Sequence, residues 1–307
     1  MAKAIGILLT VILILSLGPQ AVFGTPPQPD GWVAGETSVS GLSLEDQALL
    51  CMAQEDRELM LAQTMRLYGE YTYPPTLDWR DLNGLDFTTP IRNQRRCGSC
   101  VAFAVVASIE SRLEIALATS YLNPDLSEAH TFFCGCGECC MRGWWPHEAL
   151  DYIAEHGISD EECFPYSGRD IPCNPCPDCR ERAVDLTGWV RVKGEDEMKQ
   201  AIMAGGPVIA IMDVMQDFFW YKGGIYCPTV PWFVGLHAVT LVGYNDHEEY
   251  WIAKNSWGKD WGEDGWFRIG YRRDDVQSCG LRAYAYVPFV DAEAPYKTYF
   301  PMVAQGS

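Results

Sequence analysis

Basic side chains are in short supply in this 307-residue chain: 23 lysines and arginines stand against 41 aspartates and glutamates, a formal net charge of −18 at neutral pH. A surface of that sign repels phosphate backbones and anionic lipid headgroups, so nucleic acid and acidic membrane surfaces are excluded as partners. Histidine is scarce too, at five residues, which leaves few imidazoles to act as a base near neutral pH. No internal repeat and no low-complexity block occurs, which argues against a solenoid or a disordered scaffold. Long apolar runs are also missing beyond the N-terminus. There, Ala4 to Leu17 is almost uninterrupted after Lys3 and is followed by Gly18-Pro19 and small residues up to Gly24. This is the pattern of a secretory signal over residues 1–24. The run is shorter than the roughly 20 residues a membrane span requires, although a membrane anchor is the alternative reading. The mature protein is expected to be soluble, outside the cytoplasm and free of membrane after signal removal.

What is present is ample core material, with 48% of residues hydrophobic, enough for one two-lobed unit with processed ends. The richest stretch is Thr89 to Ala104, TPIRNQRRCGSCVAFA. Cys97-Gly98-Ser99-Cys100 leads into the apolar run Val101 to Ala107, so a buried helix is expected to begin at Cys100. Unpaired N–H groups at a helix start favour thiolate over thiol, which makes the sulfur a nucleophile. Gln94, just upstream, can offer an amide N–H to an oxyanion. Far downstream, His237 heads the β-branched run to Tyr244, and Tyr250 to Gly258 reads as a second strand across a polar turn at Asn245 to Glu249. An Asn255 amide oxygen accepting from one ring nitrogen of His237 would turn the other toward Cys100. Of the other histidines, His147 and His156 are expected at the surface and His247 in the turn, while His130 has no evident partner; none is expected to be catalytic.

At these residues the chain resembles the papain family of cysteine peptidases. The likeness runs from about Thr76 to Val290 through Leu77-Asp78-Trp79-Arg80, the Cys100 segment, Asn255-Ser256-Trp257-Gly258, Trp261-Gly262-Glu263-Asp264-Gly265-Trp266 and Cys279-Gly280-Leu281. It implies an α+β, papain-like two-lobed fold: a helical N-terminal lobe over about 74–183, an antiparallel β-barrel-like C-terminal lobe over about 184–290, and the active-site cleft between them. It also implies Cys100 as nucleophile, His237 as general base and acid, Asn255 as orienter and Gln94 as oxyanion-hole donor. Trp257 would cover the His–Asn contact and, with Trp261, face substrate. Two departures stand out. Val101 follows the nucleophile where the family carries Trp, and the family's Cys-Asn-Gly-Gly segment becomes Cys140-Met141-Arg142-Gly143-Trp144-Trp145-Pro146, one residue longer. Either Gly143 or Trp144 takes the position that pairs with the substrate backbone. Trp145 and Pro146, with Ile211, Leu236, Ala238 and Tyr284, would line the pocket for the second residue before the scissile bond, implying a hydrophobic or aromatic preference.

Before the domain, Thr25 to Ser40 reads as a flexible leader and Ser43 to Tyr68 as a helix, with Ser43 as cap and Asp46 three residues on. By resemblance, residues 25–73 form a propeptide that lies through the cleft and inhibits the enzyme intramolecularly; the alternative is a terminal helix docked for stability. Pro74-Pro75 opens the domain. Within it, the Cys100 helix is expected to reach about Thr119, with short helices at Leu126–Ala129, Pro146–Ile153 and Glu195–Ala204 and a buried strand at Pro207–Ile211. Residues 291–307 form a tail outside the resemblance.

The chain has 13 cysteines, and for an exported protein a disulfide framework is the default. Resemblance pairs Cys227 with Cys279, Cys97 with Cys140 or Cys139, and Cys134 with Cys173 or a neighbour. Zinc is the alternative, because Cys173, Cys176 and Cys179, and likewise Cys134 and Cys136, have ligand-like spacing. Cys51 in the leader is left odd. The expected activity is that of a secreted endopeptidase zymogen: a monomer that needs no cofactor or metal and cleaves peptide or protein substrates through a thioester on Cys100. A transpeptidase or ligase using the same acyl-enzyme, and a non-catalytic binding or inhibitory homologue, are the alternatives.

Overall fold

Cys100 to Ala107 carries no charged side chain, and the helix it starts, α1 (Cys100–Ala116), is buried from Cys100 through Arg112 and Leu113. It stops short of Thr119 because Ala118 turns into the left-handed region, at φ 50°. The computed structural model describes residues 32–43, 46–47, 50, 73–271 and 279–290. The secretory-signal reading, Cys51, the leader beyond Leu50 up to 72 and the tail lie outside them. A π-helical turn, His130–Cys134, follows the Leu126 to Ala129 segment. Helix α2 (Pro146–His156) begins with proline in its first turn, where a missing N–H costs nothing, and ends at Gly157. With α1 these pieces form the helical half.

The second half is strand-rich. Its strands are β3 (Leu186–Lys193), β4 (Val208–Met215), β5 (Tyr221–Tyr226), β6 (Phe233–Asn245), β7 (Tyr250–Lys254), β8 (Trp266–Gly270) and β9 (Leu281–Val290), with helix α3 (Gly194–Gly205) after β3. Two earlier strands join them, β1 (Trp32–Ala34) and β2 (Thr76–Asp78). Among the described residues the order is β1-β5-β8-β7-β6-β4-β9-β3, with β2 beside β6. Every pairing is antiparallel except β5 with β8. This is the expected α+β architecture of a helical half and a largely antiparallel sheet. Strand β6 is buried on both faces from Leu236 to Tyr244, because α1 lies against it and Thr240 Oγ1 donates to the Ala104 carbonyl at 3.0 Å.

Three features depart from the sequence reading. The leader is not uniformly flexible, since Trp32–Ala34 pairs with β5 and Trp32 is buried beside Tyr221 and Tyr226; burial of the Trp32 ring outweighs the surrounding Pro and Gly. Strand β2, from the sequence's helical half, sits on the sheet of the other half. Gly243 permits this, because a Cβ there would come within 2.2 Å of the Leu77 carbonyl oxygen. Finally, His130 is buried, its Nδ1 accepting the Ser159 N–H at 3.0 Å with the Cys179 sulfur 3.7 Å away, and His147 is half-buried beside Tyr286.

The sulfurs pair as Cys97–Cys140, Cys134–Cys173, Cys136–Cys139, Cys163–Cys176 and Cys227–Cys279. Four of the five sulfurs of the zinc alternative are thus spent in bridges, because the loops bring each within bonding distance of another cysteine. Among the described residues Cys100 and Cys179 remain thiols. No helix of the described residues is long and apolar enough to cross a membrane.

Candidate active site

The first residue of α1 is Cys100, at the end where the helix's backbone N–H groups are exposed to it. No acidic residue stands in the first turn, so nothing neutralises the positive end of the helix dipole. The sulfur lies among the residues that flank His237, in an apolar cluster with Ile211, Leu236 and Ala238. The N–H groups of Ala238, Val101 and Cys100 itself favour the thiolate, yet full burial outweighs them and pushes the thiol up to about 12.

Strand pairing delivers the other two groups. His237 sits in β6 opposite Met212 of β4, and Asn255 follows directly on β7, whose last residue, Lys254, pairs with Thr240 of β6. The hairpin therefore brings Asn255 to the imidazole, and His237 Nε2 donates to Asn255 Oδ1 at 2.8 Å. That fixes Nδ1 as the free nitrogen; it is buried with no hydrogen-bond partner among the described residues. Burial depresses the imidazole to about 4, opposed by its bond to Asn255 and by the nearby Leu50 carbonyl. Thiol and imidazole are both uncharged at neutral pH in this state.

Trp257 covers the pair, its ring centroid 4.8 Å from that of His237 and stacked on Phe219. Trp261 is fully buried behind it, packed on Trp257, Phe218 and Phe267. It therefore backs the site from the core; the expectation that it faces substrate conflicts with a ring that has no exposed surface.

Gln94 is also fully buried. Its Oε1 accepts from Ser256 Oγ at 2.6 Å, and its Nε2 donates to the Cys97 carbonyl at 2.9 Å and to the Leu50 carbonyl at 3.3 Å. A leader carbonyl thus occupies the donor expected to receive an oxyanion. Leu50 itself is 2% exposed, and the leader on its way there is held at several points. Gly35 N–H donates to the Trp220 carbonyl, Ser38 Oγ to the Trp257 carbonyl, and Gln216 Nε2 to Gln47 Oε1. Ser43 caps as expected, its Oγ accepting the Asp46 N–H at 3.1 Å.

On the helical side, Pro146 is buried and Trp144 and Trp145 are half-buried against the Cys100 cluster, as is Tyr284 from β9 on the sheet side. Gly143 spends its N–H on the Cys139 carbonyl at 2.8 Å. The Trp144 ring turns into the helical half, against Phe132 and Tyr152. A Cβ on Gly135 would lie 2.3 Å from that ring, so Gly135→Ala is expected to force Trp144 out of place and cost about 1–3 kcal/mol, read by urea unfolding.

The sequence reading missed the charged residues behind the site. Lys254 is buried next to Asn255 and donates to the Thr89 carbonyl and hydroxyl at 2.7 and 2.9 Å, while Thr89 Oγ1 in turn donates to Glu110. Burial pushes Glu110 up and Lys254 down, and each pulls the other back toward its charged form. Glu110 and Glu128 line a small cavity with Asn255 and Ser256. The available signal was a lysine inside an apolar strand beside Asn255. Lys254→Met would leave the carboxylates without their buried cation; a loss of about 3–5 kcal/mol in urea unfolding is expected, and a loss under about 1 kcal/mol would contradict the coupling.

Fold and site together define a protein of a helical half and a sheet, with a cysteine at a helix start packed against the residues that flank the histidine of a histidine–asparagine pair. Residues 73–289 match the family model described as papain family cysteine protease, and the chain belongs to that family. It is accordingly a cysteine-type peptidase. It is 33% identical over 268 residues to pro-cathepsin H of Bos taurus, covering 83% of this chain and 76% of the relative. To zingipain-2 of Zingiber officinale it is 34% identical over 220 residues, covering 70% and 96%. Among solved structures, a digestive procathepsin L2 proteinase from the larval midgut of Tenebrio molitor shares 31% identity and a TM-score of 0.71 over 84% of each chain.

Proposed function

We propose that the protein is a secreted papain-like endopeptidase, held inactive by its own leader, that cleaves peptide bonds through a thioester on Cys100. His237 Nδ1 takes the Cys100 proton and the sulfur attacks the substrate carbonyl carbon. Gln94 Nε2 and the Cys100 N–H hold the resulting oxyanion. As the C–N bond breaks, His237 returns the proton to the leaving amine, leaving the acyl thioester. Water, deprotonated by His237, then releases the acid and restores the thiol. Asn255 keeps Nε2 occupied so that Nδ1 does this work, and Trp257 keeps water from that bond.

The observation that carries this reading is the His237–Asn255 bond with Nδ1 left free beside the Cys100 cluster. The leader as an intramolecular inhibitor is supported by the Leu50 carbonyl on Gln94 and by the match to a procathepsin beyond the family-model span. A hydrophobic or aromatic preference at the second residue before the scissile bond is supported by the apolar set Ile211, Leu236 and Ala238 clustered with Cys100, with Trp145 packed against it. Since Gly143 has spent its N–H, Trp144 offers the main chain that pairs with substrate. Export is supported by the signal pattern over 1–24 and by the five bridges. A substrate-mimic electrophile should label Cys100 in the activated protein and nothing in Cys100→Ala; labelling of another residue, or none at all, would reject the reading.

A further inference from the structure

Residues Arg142 to Trp145 border a cavity of about 310 Å³ whose walls also include Gly135, Cys136 and Glu148. It adjoins the nucleophile's loop. Gly98 N–H donates to the Cys140 carbonyl at 2.8 Å, and a Cβ on Gly98 would lie 3.3 Å from the Gly143 nitrogen. An extended peptide turns successive side chains to opposite sides. If its second residue upstream of the scissile bond rests on Trp145, Pro146 and the apolar cluster around Cys100, its third turns outward, toward this cavity.

Charge distinguishes the cavity in so acidic a chain. Arg142 is exposed, and its Nε and Nη2 each lie 3.3 Å from the sulfur of Cys139, which is locked in the bridge to Cys136. An uncharged sulfur orients the guanidinium without neutralising it. Arg80, Arg92, Arg182, Arg268 and Arg282 each have a carboxylate partner; Arg142, like Arg95, Arg169 and Arg191, has no ion pair among the described residues, and of these four it is the one that lines the cavity. Glu148 shares the cavity, but it stands in the first turn of α2, where the positive end of the helix offsets its charge.

We propose that this cavity is a subsite for the third residue upstream of the scissile bond and that Arg142 gives it a preference for a glutamate or aspartate side chain. The proposal rests on the peptidase reading above. A guanidinium that is solvent-accessible and pairs with a carboxylate is worth about three- to fivefold in kcat/KM.

The test uses fluorogenic peptides identical except at that third position, carrying Glu, Gln or Lys, with the full-length chain activated and its active sites titrated by a Cys100-directed probe. The expected order is Glu over Gln over Lys. The Glu/Gln ratio should fall to about one in Arg142→Gln, persist in Arg142→Lys, rise in Glu148→Gln and shrink as salt is raised. A wild-type ratio of one or less, or a ratio that Arg142→Gln leaves unchanged, overturns the proposal while leaving the peptidase reading standing. If no peptide of the series is cleaved by protein that the probe labels, the subsite assignment falls; if the probe labels nothing, the peptidase reading itself falls.

Discussion

Cys100→Ala is expected to lower kcat/KM on any peptide substrate by at least about 10⁴-fold, and His237→Ala by a similar factor. The two residues act as one device, since the sulfur is a poor nucleophile without a proton acceptor and the imidazole has nothing to activate without the sulfur. The double variant should therefore be no worse than either single one, far from the product of the two losses. Asn255→Ala is expected to cost less, because it frees Nε2 and lets the ring turn without removing a reacting atom. All four proteins should unfold at comparable urea concentrations, which separates chemistry from folding. Cys100→Ala that keeps more than a tenth of wild-type activity would reject the assignment of the nucleophile.

Acidification should release the leader. In the docked form burial holds His237 down to about 4, against the upward pull of Asn255 and the Leu50 carbonyl, whereas a solvated imidazole titrates near 6.5. Between those values the released form binds a proton that the docked form refuses. The docked form is therefore fully favoured above about pH 6.5 and loses up to about 3 kcal/mol as the pH falls to about 4. Release also admits water to the cleft. The burial that holds the Cys100 thiol up and the imidazole down is then relieved. Alkylation of Cys100 by a neutral haloacetamide reads this out. In the full-length chain it should be at least about 100-fold slower at pH 7 than after leader removal, and it should speed up on lowering the pH toward 5. An ordinary thiol would show the opposite trend, because its thiolate fraction shrinks in acid. Equal rates at pH 7 with and without the leader would show that Leu50 does not guard the site.

Legibility in the sequence followed the range of the interactions involved. The hairpin that carries His237 and Asn255 could be read because β-branched and aromatic runs flanking a polar turn are local signals. The helix at Cys100 could be read from the apolar run that follows it, though its end at Ala116 could not, since that depends on one backbone angle at Ala118. Trp261 shares a motif with groove residues, but its burial depends on Phe218, Tyr221 and Phe267, which arrive from elsewhere in the chain. Lys254 went unremarked for the same reason: its partners Thr89 and Glu110 lie far upstream, and only packing makes it a buried cation.

By itself, then, the sequence determined the family, the helix start at Cys100, the hairpin holding His237 and Asn255, and the acidic net charge. These depend on residue type and near-neighbour spacing, which the chain carries wherever it goes. Only the tertiary structure decided which cysteine meets which, that Leu50 lands on Gln94, and which way the Trp144 ring and the Arg142 guanidinium face. Those outcomes turn on distances between segments remote in sequence, and such distances exist only once the two halves have packed.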